Sequence, residues 1–117
     1  MPNCVANTYA RVTMKVRVDK RPYLAAFQTP PHNSNWENIR SDPDGMGETR
    51  EFVMVNTPGD QVSFNGQYDE QVPDNDPDPK ATYTITFTEP AGPVCSDRVV
   101  VPKGAGPVSR EYIFTAR

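Results

Sequence analysis

Apolar and polar residues alternate most regularly in residues 81–88, which read Ala-Thr-Tyr-Thr-Ile-Thr-Phe-Thr. In an extended chain Tyr83, Ile85 and Phe87 lie on one side and the threonines lie on the other. A period of two residues indicates a β-strand with one buried face, and β-branched and aromatic side chains suit such a strand. We therefore predict a strand whose apolar side belongs to the core.

Residues 10–18 repeat this pattern, because Val12, Met14, Val16 and Val18 alternate with charged or hydroxyl side chains. Less regular apolar runs predict further strands at residues 23–28, 49–56, 61–68, 95–101 and 108–115, and either a brief strand or one helical turn at residues 36–40. The chain is thus read as a succession of short strands.

The run of four apolar residues at 52–55 predicts a central strand that is buried on both faces. Turn-forming residues separate the strands, and 13 of the 117 residues are proline. We therefore predict an all-β fold, an antiparallel β-sandwich of immunoglobulin-like or jelly-roll-like type. It would have about seven or eight strands, no significant helix, and a single domain over residues 1–117. The predicted core contains Tyr83, Ile85, Phe87, Val12, Met14, Val16, Phe64 and Phe52.

The two cysteines, Cys4 and Cys95, bracket most of the chain. An even pair in a small domain predicts a disulfide, although two buried free thiols are the alternative. A bridge would close a loop of about 90 residues and stabilise the fold by about 4 kcal/mol. It would also indicate an oxidising location, which we expect to be extracellular, periplasmic or on a particle surface.

Charge and hydropathy narrow the range of partners. The net charge of −3 and the pI of about 5.0 argue against nucleic acid, which requires a basic stripe. The sequence contains no run of 18 apolar residues, so we predict no membrane-spanning helix. The start of the chain lacks the pattern of a signal peptide. We expect any export signal to have been removed or to be left out of this sequence. We expect a protein or surface polymer as the partner, with this chain as a subunit of a larger assembly.

Residues typical of catalysis are scarce. The one histidine, His32, lies in a proline-rich stretch, and neither cysteine belongs to a Cys-x-x-Cys pair. A serine or cysteine nucleophile normally needs a nearby base. We therefore predict no catalytic residues and no enzymatic activity, with a small carboxylate-based hydrolase as a remote alternative.

An acidic segment is the first candidate binding site. Its carboxylates partly occupy alternate positions, as oxygen ligands of calcium often do. The proposed ligands are Asp69, Glu70, Asp74, Asp76 and Asp78. The segment does not match an EF-hand, because Pro79 stands where glycine is required and Ile85 where glutamate is required. Ca²⁺ is the one cofactor that the sequence suggests.

A second candidate site combines aromatic rings and amides around the proline-rich stretch. Sugars stack on aromatic rings and exchange hydrogen bonds with amides, so Tyr23, Asn33, Asn35 and Trp36 are candidate ligand-binding residues. A lone tryptophan in a small sandwich also serves as ordinary packing.

The leading functional hypothesis is a non-enzymatic binding or structural module of a cell or particle surface. It would contact other macromolecules through loops and strand edges. A calcium-dependent carbohydrate-binding module that uses residues 69–78 and Trp36 is the alternative.

Overall fold

A computed structural model describes residues 4–7, 10–21, 23–29, 36–39, 46–53 and 61–116, without the side chains of Val53 and Ala116. These residues form nine strands and no helix. The strands are β1 (Cys4–Ala6), β2 (Arg11–Val18), β3 (Leu24–Gln28), β4 (Glu37–Asn38), β5 (Gly47–Val53), β6 (Gln61–Gln67), β7 (Lys80–Glu89), β8 (Gly92–Pro102) and β9 (Val108–Ala116).

The strands form two sheets that pack face to face, which confirms the predicted β-sandwich. The five-stranded sheet has the order β1-β9-β6-β3-β4, and the four-stranded sheet has the order β5-β2-β7-β8. The strand pairs are antiparallel except β1 and β9, which run parallel. The immunoglobulin-like or jelly-roll-like assignment stays a prediction.

The core lies between the sheets, as the alternating patterns predicted. Tyr83, Ile85 and Phe87 of β7 have no exposed surface. Phe87 packs edge-on against Phe114 of the opposite sheet, with ring centroids 5.2 Å apart, and Phe64 packs against Tyr83 at 5.3 Å. The other predicted core residues, Val12, Met14, Val16 and Phe52, are buried as well.

Most predicted strands agree with the structure to within two residues, but β1 was not predicted. At residues 36–40, the structure resolves the alternatives in favour of a two-residue strand, β4, and Arg40 lies outside the described residues. The three residues of β1 are too few for a period to be visible. Their parallel pairing with β9 comes from a part of the chain more than 100 residues away.

The prediction of a central strand at residues 49–56 is wrong. The corresponding strand, β5, lies at the end of its sheet and pairs with β2 alone in the described part of the chain. Phe52 is buried, whereas Thr49 and Glu51 are exposed. Residues 54–56 lie outside the described residues. An apolar run of four residues shows that a segment favours burial. The number of strands that lie beside it depends on pairing with distant segments.

Candidate functional site

Strand β8 forms one end of the four-stranded sheet, and it is the longest strand at 11 residues. It pairs with β7 on one side, and no strand of the described chain pairs with its other side. Val99 and Val101 are buried, whereas Arg98 and Val100 are exposed. An end strand of this kind presents a row of backbone N–H and C=O groups that can pair with another chain.

The ends of the five-stranded sheet offer little for such pairing. Strand β1 at one end has three residues, and β4 at the other end has two. Very short edge strands are one of the ways in which natural sheets avoid unwanted pairing.

The remaining end strand, β5, has seven residues but carries inward-pointing charges. Glu48 and Arg50 lie opposite core residues of β2 and therefore point between the sheets. Arg50 donates hydrogen bonds to Glu48 at 3.1 Å and to Glu37 of β4 at 2.8 Å, and its guanidinium lies 5.0 Å from the centre of the Phe27 ring. Inward-pointing charges also protect an edge strand, because an added strand would leave them in a poorly solvated position.

The predicted disulfide between Cys4 and Cys95 is confirmed. Its Cα atoms are 5.1 Å apart, and Cys4 is only 1% exposed. The bridge fixes β1 beside the first half of β8. The part of β8 that follows it, residues 96–102, is called the β8 edge below.

The β8 edge is also tied to the opposite sheet by a side-chain hydrogen bond. The hydroxyl of the buried Tyr112 donates to Asp97 Oδ2 at 2.8 Å. Burial raises the pKa of the Tyr112 hydroxyl well above its ordinary value, and the hydrogen bond to Asp97 raises this pKa further. The backbone N–H of Arg98 donates to the other oxygen of Asp97 at 2.8 Å. These contacts hold the edge in an extended, preorganised conformation.

The acidic segment between β6 and β7 is organised around Asp76, whose side chain is 8% exposed. Asp76 accepts hydrogen bonds from Lys20 Nζ at 2.8 Å and from the Tyr68 hydroxyl at 2.6 Å. These bonds, led by the one from Lys20, lower the pKa of Asp76 to about 2. The hydrogen bond to Asp76 in turn raises the pKa of Tyr68 to about 12. Asp76 therefore anchors the segment to the turn after β2.

The other acids of the segment face different partners. Asp69 accepts a hydrogen bond from the backbone N–H of Gln71, Asp74 lies 3.3 Å from Lys103 Nζ, and Asp78 lies 3.8 Å from Lys80 Nζ. Glu70 is exposed. No group of three or more histidine, cysteine, aspartate or glutamate side chains in the described residues is placed to hold a metal ion. The Ca²⁺ site stays a prediction.

The residues of the predicted sugar site are only partly described. Asn33 and Asn35 lie outside the described residues, as does His32. Tyr23 is partly buried at the start of β3, and Trp36 precedes β4, beside the other end of β3. Since β3 has five residues, about 16 Å of strand separates the two aromatic residues. The structure does not bring them together, and Trp36 is the member that remains exposed, at 51%.

The sequence contained one signal for the β8 edge. Three consecutive valines followed by Pro102 form a strand of high β-propensity that ends abruptly. The three valines predict a strand. They do not show that this strand lies at the end of a sheet, because that depends on which other strands pair with it.

The fold and the disulfide define the protein as a disulfide-linked β-sandwich in which one long end strand, β8, pairs on one side only within the described part of the chain. Comparisons with protein-family models, with curated proteins and with solved structures found no match. None of the described residues belongs to a helix long and apolar enough to cross a membrane.

Proposed function

We propose that the protein is a non-enzymatic binding or structural module of a cell or particle surface, and that its β8 edge accepts an extended segment of a partner protein as an additional strand. Strand addition is a common mode of peptide recognition, in which backbone hydrogen bonds supply affinity and alternate side chains supply specificity. The contrast between β8 and the other three end strands carries this proposal. Those strands are very short or, in β5, carry two inward-pointing charges. Strand β8 is long and rich in valine, and its one inward-pointing charge, Asp97, accepts a hydrogen bond from Tyr112 of the opposite sheet.

The side chains of β8 define the partner segment that would fit. Val100 is 40% exposed on the outer face of the sheet, next to Arg98 two residues earlier. An incoming strand would place one side chain beside Val100 and another beside Arg98 on this face. We expect a segment with a β-branched or aromatic residue two positions from an acidic residue.

The location of this activity would be outside the cytoplasm. The Cys4–Cys95 disulfide supports such a location, because disulfides persist mainly in oxidising compartments. A preorganised edge that is fixed by a covalent cross-link also suits a subunit of a larger surface assembly.

Two measurements test the proposal. In amide hydrogen exchange, the edge-facing amides of residues 96–101 other than Arg98, whose N–H donates to Asp97, should exchange at least about tenfold faster than those of β7, since they lack strand partners. In NMR titrations, a synthetic peptide with the β7 sequence of residues 82–89, in which Phe87 lies two positions from Glu89, should shift amide signals of the β8 edge. Protection of every β8 amide in the free protein would show that the edge is already covered, and would overturn the proposal.

A pair of matched variants tests whether the peptide binds at the β8 edge. Val100→Lys places a charge on the β8 edge, and Ile113→Lys does the same at a residue of similar exposure, 47%, on the outer face of the interior strand β9. Val100→Lys should weaken peptide binding at least about fivefold, because lysine on an edge strand disfavours pairing. Ile113→Lys should change the affinity for the peptide by less than about twofold. Equal effects of the two variants would contradict binding at the edge.

Carbohydrate binding is a second candidate function, favoured by the outer face of the five-stranded sheet. Asn38, Ala26, Asn65 and Ser109 form one row across four strands of this face. The exposed Trp36 lies two residues before Asn38, and positions two residues apart share a face. A neutral oligosaccharide could stack on the ring and bond to the amides.

The fluorescence emission of Trp36, the sole tryptophan, should change when a sugar stacks on its ring. Unchanged emission with millimolar neutral oligosaccharides, with or without Ca²⁺, would contradict this second candidate. The remaining alternative, a carboxylate-based hydrolase, is favoured by no observation in the described residues.

A further inference from the structure

The outer face of the four-stranded sheet gathers positive charge in a protein whose net charge is −3. The cationic side chains at its outward positions are Arg11, Lys15 and Arg17 of β2, Lys80 of β7 and Arg98 of β8. Alternate residues of a strand lie roughly 6.6 Å apart, so the cations of β2 span about 20 Å in a line. Two of these cations lie near an acid, since Glu51 at an outward position of β5 lies 3.8 Å from Arg11 and Asp78 lies 3.8 Å from Lys80.

A row of hydroxyl groups runs beside this line of charge. The outward residues of β7 after Lys80 are Thr82, Thr84, Thr86 and Thr88, which alternate with buried residues. Thr86 lies opposite Lys15, and Thr84 lies opposite Arg17. Cations and hydroxyls therefore form two parallel rows on adjacent strands.

A groove of about 380 Å³ lies where these rows meet β8. Its lining residues are Arg17, Val18, Asp19, Thr82, Thr84 and Arg98. Thr84 lies opposite Arg17 on one side and opposite Arg98 on the other, so the Cα atoms of the two arginines are separated by two strand spacings, about 9.6 Å. Asp19 Oδ1 accepts a hydrogen bond from the backbone N–H of Thr82 at 2.8 Å, which engages the one acid of the groove.

We propose that this outer face binds a linear anionic polysaccharide along β2 and β7, with one of its acidic groups beside Arg98 in the groove. Guanidinium groups bind sulfate and carboxylate oxygens through paired, charge-assisted hydrogen bonds. Threonine hydroxyls both donate to and accept from the hydroxyl groups of a sugar chain. This proposal does not depend on strand addition at the β8 edge, although Arg98 belongs to both surfaces.

The chemistry of the face favours a polysaccharide over a nucleic acid. Proteins that bind single-stranded nucleic acids stack bases on aromatic side chains. The described outward residues of this face are threonine, serine, glycine, valine, proline, glutamate, lysine and arginine, without an aromatic residue. The face therefore offers charge and hydroxyls but no stacking platform.

The probe is a heparin octasaccharide, titrated by calorimetry at 50 mM NaCl and again at 200 mM NaCl. Binding should weaken at least about fivefold at the higher salt concentration, because screening reduces attraction between exposed charges. Amide shifts should concentrate on β2, β7 and residue 98. Single-stranded poly(dT) of similar charge should bind more weakly, and neutral dextran should not compete.

Two double variants that remove the same charge make the test specific. Lys15→Gln with Arg98→Gln removes two exposed cations from the face, and Lys103→Gln with Arg110→Gln removes two from other surfaces. The first pair should weaken heparin binding at least about tenfold and the second pair less than about threefold. Thermal melts of both pairs verify folding.

Three results would overturn the proposal: no heparin binding at 50 mM NaCl, equal losses in the two double variants, or tighter binding of poly(dT). Equal losses of heparin binding would show that heparin is attracted to cationic side chains anywhere on the protein rather than to this face. The Val100→Lys variant adds a cation to this face opposite Thr82, so it should bind heparin at least as tightly as the unmodified protein while it binds the peptide less tightly. These opposite effects distinguish the two proposals.

Discussion

Reduction of the Cys4–Cys95 disulfide should destabilise the protein severely. The two cysteines are 91 residues apart, and the chain-entropy expression for a loop of that length gives about 4.6 kcal/mol at 25 °C. At about 2.1 cal/mol/K of unfolding entropy per residue, a chain of 117 residues has about 250 cal/mol/K. The predicted loss therefore lowers the melting temperature by about 19 °C.

The assay compares urea unfolding of the oxidised protein, of the protein reduced with a phosphine, and of the Cys4→Ala, Cys95→Ala variant. Reduction removes the cross-link without changing the side-chain volume, so it isolates the effect of the loop. The variant should lose somewhat more, because alanine leaves a gap at the buried position of Cys4.

A free energy of unfolding of the reduced protein within about 1 kcal/mol of that of the oxidised protein would contradict this prediction. It would show that the unfolded chain is already restricted without the bridge, or that β1 contributes little to the fold. Loss of the β1 amide signals alone, with the rest of the spectrum intact, would support the latter explanation.

Gly47→Ala should destabilise the protein by at least about 3 kcal/mol, because Gly47 has φ +143° and an added Cβ would lie 1.8 Å from the carbonyl oxygen of Val16. Urea unfolding measures this loss. Asp76→Asn should lower stability at pH 7, because it removes the carboxylate that two neighbouring side chains hold ionised. With the pKa of Asp76 lowered from 3.8 to about 2, this contribution is present above about pH 4 and disappears as the pH falls to about 2.

Each of these variants has a matched control. Gly92 has nearly the same φ, +141°, but open space around its Cβ position, so Gly92→Ala measures the backbone cost without the clash. Equal losses at the two glycines would show that the clash is relieved by a small movement of β2. Asp74→Asn removes a carboxylate that is 98% exposed, and it should change stability little. A difference between unmodified protein and Asp76→Asn that persists unchanged at pH 2 would contradict the assigned role of Asp76.

Local periodicity was sufficient for the long strands. In β2 and β7 the identity of the buried residues follows from the alternation alone, because successive side chains of any strand point to opposite faces. The cysteine pair was predicted for a similar reason, since two cysteines in a small domain leave few alternatives. Both inferences can be made without knowing which strands are neighbours in the sheets.

The candidate sites depended on contacts between distant residues. The sequence displays acids between residues 69 and 78, but Lys20, which neutralises Asp76, lies 56 residues before it. The same holds for the groove, where Arg17 and Arg98 meet only because β7 lies between their strands. Cations dispersed along the sequence are thus brought onto one face of the protein.

Neighbouring residues alone establish that this chain consists of short strands with one apolar side. Which strands lie at the end of a sheet depends on distant segments, and it was the fold that placed β5 and β8 there. Hydrogen bonding across a sheet joins backbone groups of segments that are far apart in the chain. A strand therefore cannot show from its own residues whether both of its sides are paired.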